Sequence, residues 1–311
     1  MKVLVTGGAG FIGSHLVERL VSEGHEVSVL DSFTTGKRQN LDPFRGRITI
    51  HENDVRDSAA VDRAVEGCEL VFHEAAVVSV PYSVEHPQET HDVNIQGTLN
   101  VLLAARKSGV RRVVFASSAA VYGEEPTLPK SETMVPEPIS PYGVEKLTAE
   151  HYLRTFARLY GVETVALRYF NVFGPRQDPA SPYSGVISVF VRRLLSRQPI
   201  SIFGDGQQSR DFVNVADVVQ ANLLAAHAPA ASGHVYNVAR GDRTTLLELA
   251  TTLGRVVGTA VAPTLAPERA GDIRHSQATI ERARRELGYE PRVDLETGLT
   301  GLVDHERKHQ P

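Results

Sequence analysis

The sequence predicts a doubly wound α/β fold, a parallel sheet with helices on both faces followed by a smaller C-terminal α/β lobe. Three observations predict it: short apolar runs recur along the first 170 residues, helical stretches lie between them, and a glycine-rich turn follows the first run. Strands that are apolar at nearly every position suit a parallel sheet covered on both faces, whereas a half-exposed sheet would alternate.

The first run covers residues 2–6; after the glycines, residues 11–22 carry apolar side chains at helical spacing, giving strand, tight turn and helix. Further runs lie at 27–30, 48–50, 70–72, 113–115 and 165–167, with helical patterns at 94–107 and 141–159. After Arg168 the pattern loosens into a segment rich in Pro and Gly at 174–185, with helices expected at 217–226 and 245–256. The expected division is therefore a dinucleotide-binding domain at 1–170 and a mainly substrate-binding lobe at 171–311, with some chain crossing between them. Ligands of such sheets bind at the carboxyl ends of the strands, in the cleft between the lobes.

Composition excludes several classes. With 41% hydrophobic and 23% charged residues the chain can bury a core, which argues against disorder. A net charge of −4, without a run of five basic residues, leaves no footprint for nucleic acid. No apolar stretch reaches the roughly 20 residues of a membrane span, and MKVLV runs straight into the glycine turn without room for a secretory leader. The single Cys68 cannot form an internal disulfide and suits a reducing compartment, so the expected location is the cytoplasm. The 12 histidines come without a matching cysteine pattern, so no metal is expected, and His15 and His73 read as packing or hydrogen-bonded residues.

Glycines stand at 8, 10 and 13, and equally at 7, 10 and 13. Lacking Cβ atoms, they let the turn tighten, the backbone approach a pyrophosphate and the helix pack against the strand, the arrangement of a Rossmann-type nucleotide site. The helix N-terminus then offers free N–H groups to the phosphates. A plain loop is the simpler reading, but this turn follows a strand, opens a helix and is followed by Asp31 at the end of the second strand. A carboxylate there accepts from ribose hydroxyls and repels a 2′-phosphate, which favours NAD over NADP. Lys37 and Arg38 could reach such a phosphate; they read instead as solvated loop charge.

Tyr142 and Lys146 lie four residues apart on one face of a helix started by Ser140 and Pro141. A free tyrosine ionises near pH 10, and both a neighbouring ammonium and a cationic nicotinamide favour the phenolate, making Tyr142 a candidate general base. The fifth run leads into Ser117 and Ser118 at the carboxyl end of a strand, where a hydroxyl can share a proton with the tyrosine. A turn-capping serine is the plainer alternative.

Six stretches in order, TGGAGFIGSH, FASSAAVYG, SPYGVEKL, LRYFNVFGPRQDP, FGDGQQSRDFVNVADV and RAGDIRHS, resemble the extended short-chain dehydrogenase/reductase family, and within it the nucleotide-sugar epimerases. The resemblance implies a catalytic set of Ser118, Tyr142 and Lys146. It implies a cofactor set of Gly7, Gly10, Phe11, Ile12, Gly13, Asp31, Ser32, Thr35, Gly36, Asp54, Val55, Ala75, Ala76 and Asn94, together with Tyr142 and Lys146. For a UDP-sugar it implies Ser118, Asn171, Val186, Phe203, Arg210, Arg269, Asp272 and Ser276, the arginines gripping the diphosphate through their planar forks.

The dehydratases and decarboxylases of this family carry an acidic residue just before the Val-Tyr-Gly step, where this chain has Ala119 and Ala120. Alanine is neither acid nor base, which leaves reversible oxidation at C4 and return of the hydride to the other face. The small Ser276, at a position that gates N-acetyl groups in related enzymes, implies UDP-N-acetylhexosamines, with UDP-glucose and UDP-galactose beside them; its plainer reading is a helix cap. UDP-glucuronate is an alternative, with Arg192 or Arg193 meeting its carboxylate. A non-catalytic NAD-binding regulator would need the glycine turn but not the Ser118, Tyr142 and Lys146 set. The resemblance further implies a homodimer formed through the 94–107 and 142–159 helices.

Overall fold

A computed structural model describes residues 1–178, 185–268 and 274–309. Seven strands form one sheet: β1 (Lys2–Thr6), β2 (Glu26–Asp31), β3 (Ile48–Glu52), β4 (Leu70–His73), β5 (Arg112–Ser118), β6 (Glu163–Tyr169) and β7 (His234–Val238). They lie in the order β7-β6-β5-β4-β1-β2-β3, and every neighbouring pair is parallel. The order reverses between β1 and β4, so the loops after these two strands part and open a crevice at the carboxyl edge, the usual place for a nucleotide in a Rossmann-type fold. β7, with Tyr236 and Asn237 at its centre, lacks the apolar run that marks the other strands; both side chains are nonetheless fully buried.

Alternation along the strands feeds two cores. Val3, Val5, Val27, Val29, Phe72 and Val114 face the Phe11–Ser22 and Val215–His227 helices, while Leu4, Leu30, Val71 and Phe115 face the Ser58–Val65, Gly97–Ser108 and Pro141–Tyr160 helices. The runs look uniformly apolar because both faces of the sheet are covered. A third cluster, with Phe173, Phe190, Leu249 and Leu302 among its members, forms beyond the edge of the sheet from residues after 171.

Local signals account for the ends of the helices. Ser140 accepts a hydrogen bond from the Gly143 amide at 3.2 Å, with Pro141 as the first helical residue. The helix expected from residue 94 starts as a π-helical turn at Asp92–Gln96, and the α-helix proper is Gly97–Ser108. Such widened turns occur often at functional sites, and here Asn94 is buried within one. Among the described residues, no helix is long and apolar enough to cross a membrane.

Candidate active site

After β1 the chain turns through Gly7, which has a φ of +68°; a Cβ there would lie 2.7 Å from the Ala75 amide nitrogen, so the tips of β1 and β4 meet only because no side chain intervenes. At Gly13 a Cβ would stand 2.1 Å from the Gly7 carbonyl oxygen, so the Phe11–Ser22 helix closes onto the turn by the same means. Glycines 7, 10 and 13 thus shape the turn, while Gly8 packs against Val29. Gly10 caps the helix without a side-chain bond, and no acidic residue stands in its first turn. The amide groups at Phe11 and Ile12 are left for an anion.

Asp31 ends β2 and is 7% exposed. Its oxygens accept from the Ala9 amide at 2.9 Å and the Phe33 amide at 2.8 Å; burial pushes the carboxyl up while these bonds pull it down. Gly36 lies so close that a Cβ would be 2.6 Å from an Asp31 oxygen. Ser32 shares a hydrogen bond with Thr34, and Thr35 is exposed on the same loop. Lys37 and Arg38 are not simply solvated: Lys37 pairs with Asp178 at 3.2 Å, and Arg38 with Glu52. Both cations that could have greeted a 2′-phosphate are therefore engaged by carboxylates.

Asp54 is gripped by the Arg56 guanidinium at 2.8 and 3.0 Å, which holds its carboxyl below the usual range. Val55 is buried against Gly97, and Ala75 and Ala76 sit half-buried just past β4. Asn94 spends its amide inside the protein. Its oxygen accepts from the Val77 amide at 2.8 Å, and its nitrogen donates to the Val77 carbonyl at 3.0 Å and to Glu145 at 2.6 Å. The loop beyond β4 is thereby tied to the Pro141–Tyr160 helix. The side-chain-free cradle, the open helix N-terminus and the Asp31 carboxylate together fit NAD.

Ser118, Tyr142 and Lys146 converge at the tip of β5. Ser118 accepts from the Ala120 amide at 3.1 Å, so it does cap a short 3-10 turn, and its hydroxyl also hydrogen-bonds the Tyr142 phenol. Lys146 Nζ donates to the Ala116 carbonyl at 2.7 Å and stands 5.8 Å from the centre of the Tyr142 ring. Burial brings the lysine down to about 8, opposed by Glu74, Glu145 and Glu150. The expectation that the ammonium lowers the phenol is not met in the polypeptide. Burial pushes Tyr142 up to about 12, the Ser118 bond pulls it down, and Glu145 and Glu74 push it up again. Desolvation of the charged form is the largest influence on this phenol.

Asn171, Val186, Phe203 and Arg210 line one cavity of about 430 Å³, together with Gln177 and Gln208. Arg210 donates to its neighbour's carbonyl, Ser209 O, at 3.0 Å, and Asn171 to Asp211 O at 3.2 Å. Arg269 and Asp272 lie outside the described residues. Ser276 is half-buried, its amide bonded to Ser209 O at 3.0 Å. It is neither a helix cap, since the next helix starts at Glu281, nor one of the residues lining that cavity.

Of the polar floor of the site, sequence reasoning reached only His73, read as a packing or hydrogen-bonded residue, and missed the rest. The Thr98 hydroxyl donates to Asn94 O at 2.6 Å and so receives His73 Nε2 at 3.0 Å, while Thr6 bonds Nδ1 of the same ring at 2.7 Å. Burial pushes His73 down to about 3, which keeps it neutral. Glu145 accepts from Thr90 and Asn94, and Glu150 from Ser117 and Arg168. A glutamate on an amphipathic helix reads as solvent-facing; only the packing shows these two turned inward.

Residues 3–239 match the NAD dependent epimerase/dehydratase family. A putative UDP-glucose 4-epimerase of Methanocaldococcus jannaschii is 40% identical over 304 residues, 97% of either chain. A UDP-glucose 4-epimerase from Thermotoga maritima, solved with UDP-glucose, superposes with a TM-score of 0.94 at 42% identity over 99% of both chains. A UDP-N-acetylglucosamine 4-epimerase from Methanobrevibacter ruminantium, solved with UDP-N-acetylmuramic acid, gives 0.95 at 38%, again over 99% of both.

Proposed function

The chain belongs to the NAD dependent epimerase/dehydratase family and is an NAD-dependent UDP-sugar 4-epimerase, an isomerase; on that premise we propose that it inverts C4 of UDP-N-acetylglucosamine and UDP-N-acetylgalactosamine, and of UDP-glucose and UDP-galactose. The observation that carries this reading is the meeting of Ser118, Tyr142 and Lys146 at one strand tip, beside the glycine cradle. Bound NAD, held by the turn at Gly7, Gly10 and Gly13 and by Asp31, supplies the acceptor and later the donor of the C4 hydride.

The protein's own residues manage the proton. As the phenolate, which Lys146 together with a bound oxidised nicotinamide would favour, Tyr142 Oη takes the proton from the sugar 4-hydroxyl and returns it after the 4-keto sugar has presented its other face. Ser118 holds the phenol by its hydrogen bond, and Lys146 brings positive charge beside it. Arg210 and Phe203, at the cavity, would hold the UDP end. Ala119 and Ala120 offer no acid or base for elimination.

UDP-glucuronate is the second reading: its carboxylate needs a cation near Ser118 and Tyr142, and Arg192 and Arg193 are exposed on the Val186–Leu195 helix, Arg193 donating to Pro199 O at 3.0 Å. Proton NMR of UDP-N-acetylglucosamine, UDP-glucose and UDP-glucuronate, each incubated with the enzyme without added cofactor, tests the assignment. Inversion of UDP-glucuronate alone would overturn it. Ser276 is bonded to Ser209, the neighbour of Arg210 in the cavity wall, so Ser276→Tyr should lower the rate on the N-acetyl sugar by about 10- to 100-fold more than on UDP-glucose. Equal losses on both would show that Ser276 is no gate.

We also propose a homodimer. Leu103, Val144, Tyr152 and Leu159 expose apolar side chains on the Gly97–Ser108 and Pro141–Tyr160 helices, a face that a second copy would cover. Sedimentation equilibrium should give twice the mass of one chain; the mass of a single chain would refute pairing.

A further inference from the structure

Glu74 lies where the sheet brings three strand tips together. His73, the last residue of β4, pairs in register with Phe115 of β5, so Glu74 follows beside Ala116, whose carbonyl receives the Lys146 bond. Ser118 of β5 pairs with Tyr169 of β6, and the Tyr169 hydroxyl donates to Glu74 Oε1 at 2.8 Å. Asn222, from the Val215–His227 helix, donates in turn to the Tyr169 oxygen at 2.7 Å.

The carboxyl is thus held by neutral donors, while its electrostatic neighbours on the catalytic helix are Lys146 and Tyr142. The other two carboxylates near Lys146 are already engaged. Glu150 is neutralised by the Arg168 guanidinium at 2.7 Å, and Glu145 is bonded to Thr90 and Asn94, each at 2.6 Å. His73, below, carries no charge at neutral pH. Among the described residues no arginine pairs with Glu74, and the cation acting on it is Lys146.

We propose that Glu74 is a positioning residue that keeps Lys146 in its ammonium form within the buried site. This rests on the reading of Tyr142 and Lys146 as the working pair. Burial sets Glu74 at about 7 and Lys146 at about 8, and Glu74 is the strongest of the influences holding the lysine up. The sign follows: once the carboxylate is removed, the ammonium is lost at a lower pH. The alkaline arm of the rate profile, where Lys146 deprotonates, moves down with it.

The test compares the wild-type holoenzyme with Glu74→Gln and Tyr169→Phe. The second variant keeps the carboxyl but removes its donor, which makes the carboxylate harder to form. With only six lysines in the chain, the 13Cε signal of Lys146 in lysine-labelled enzyme can be assigned by its loss in Lys146→Arg and titrated directly. In Glu74→Gln, both this titration and the alkaline arm of the pH–rate profile should fall by about one pH unit. Tyr169→Phe should move them in the same direction by less, and it decides the matter alone if Glu74→Gln does not fold. Titrations that superpose on wild type would overturn the proposal. A moved titration in an enzyme that turns over no UDP-sugar would uphold it while refuting the substrate assignment.

Discussion

Tyr142→Phe should lower kcat for C4 inversion by roughly a thousandfold while leaving UDP-sugar binding and the melting curve nearly unchanged, since it deletes the acid–base group alone. The ring is buried, so phenylalanine keeps the packing. Only the hydroxyl that bonds Ser118 is lost. Glu74 is another titratable group at the same strand tips, with its carboxyl tied to Tyr169 at 2.8 Å. Initial rates by NMR, set beside nucleotide-sugar affinity by calorimetry, check the split. A loss below tenfold would mean that another group moves the proton.

Glu150→Ala should cost about 3–5 kcal/mol of stability, the usual consequence of removing one partner from a buried ion pair. Glu150 and Arg168 are 3% and 4% exposed and joined at 2.7 Å, with a second bond from Arg168 Nε at 2.9 Å and one from Ser117 at 2.5 Å. The alanine variant strands a guanidinium between the Pro141–Tyr160 helix and the sheet, where Arg168 Nη1 already has no partner. The double replacement Glu150→Leu with Arg168→Met should recover most of the loss, because no charge then remains to be solvated. Urea denaturation of the three proteins measures both quantities. A single-variant loss under about 1 kcal/mol would place water at the pair.

The parts of this molecule that were legible in the sequence are those written in local pattern. Runs of Val, Ile and Leu mark β1, β2 and β4 to β6 because these strands are covered on both faces, whereas the run of β3 lies on an edge strand that is partly exposed, and the turn from Gly7 to Gly13 is legible because only glycine tolerates the close approaches found there. Tyr142 and Lys146 are legible because helical spacing alone puts them on one face. β7 is not, since Tyr236 and Asn237 look like loop residues until Tyr236 is seen to donate to Glu286 and Asn237 to accept from Tyr122.

Nor are Glu74 and Tyr169 legible as a pair. They are 95 residues apart, and their bond depends on the registers of β4 on β5 and of β5 on β6. Asp211 teaches the same lesson. Beside Arg210, in a motif that points to phosphate, it instead accepts the amides of Arg240, Gly241 and Ala278, and burial pushes it up to about 6.

β7 is made by residues 234–238, beyond the segment from 171 onward that begins the third cluster, yet it pairs with β6 along five positions. The chain leaves the sheet, starts the third apolar cluster and comes back to finish the sheet. A gene cut near residue 170 would leave β6 with a bare ladder, ready to recruit any passing strand. Residues after 171 therefore cannot be exchanged as one piece without taking β7 out of the sheet.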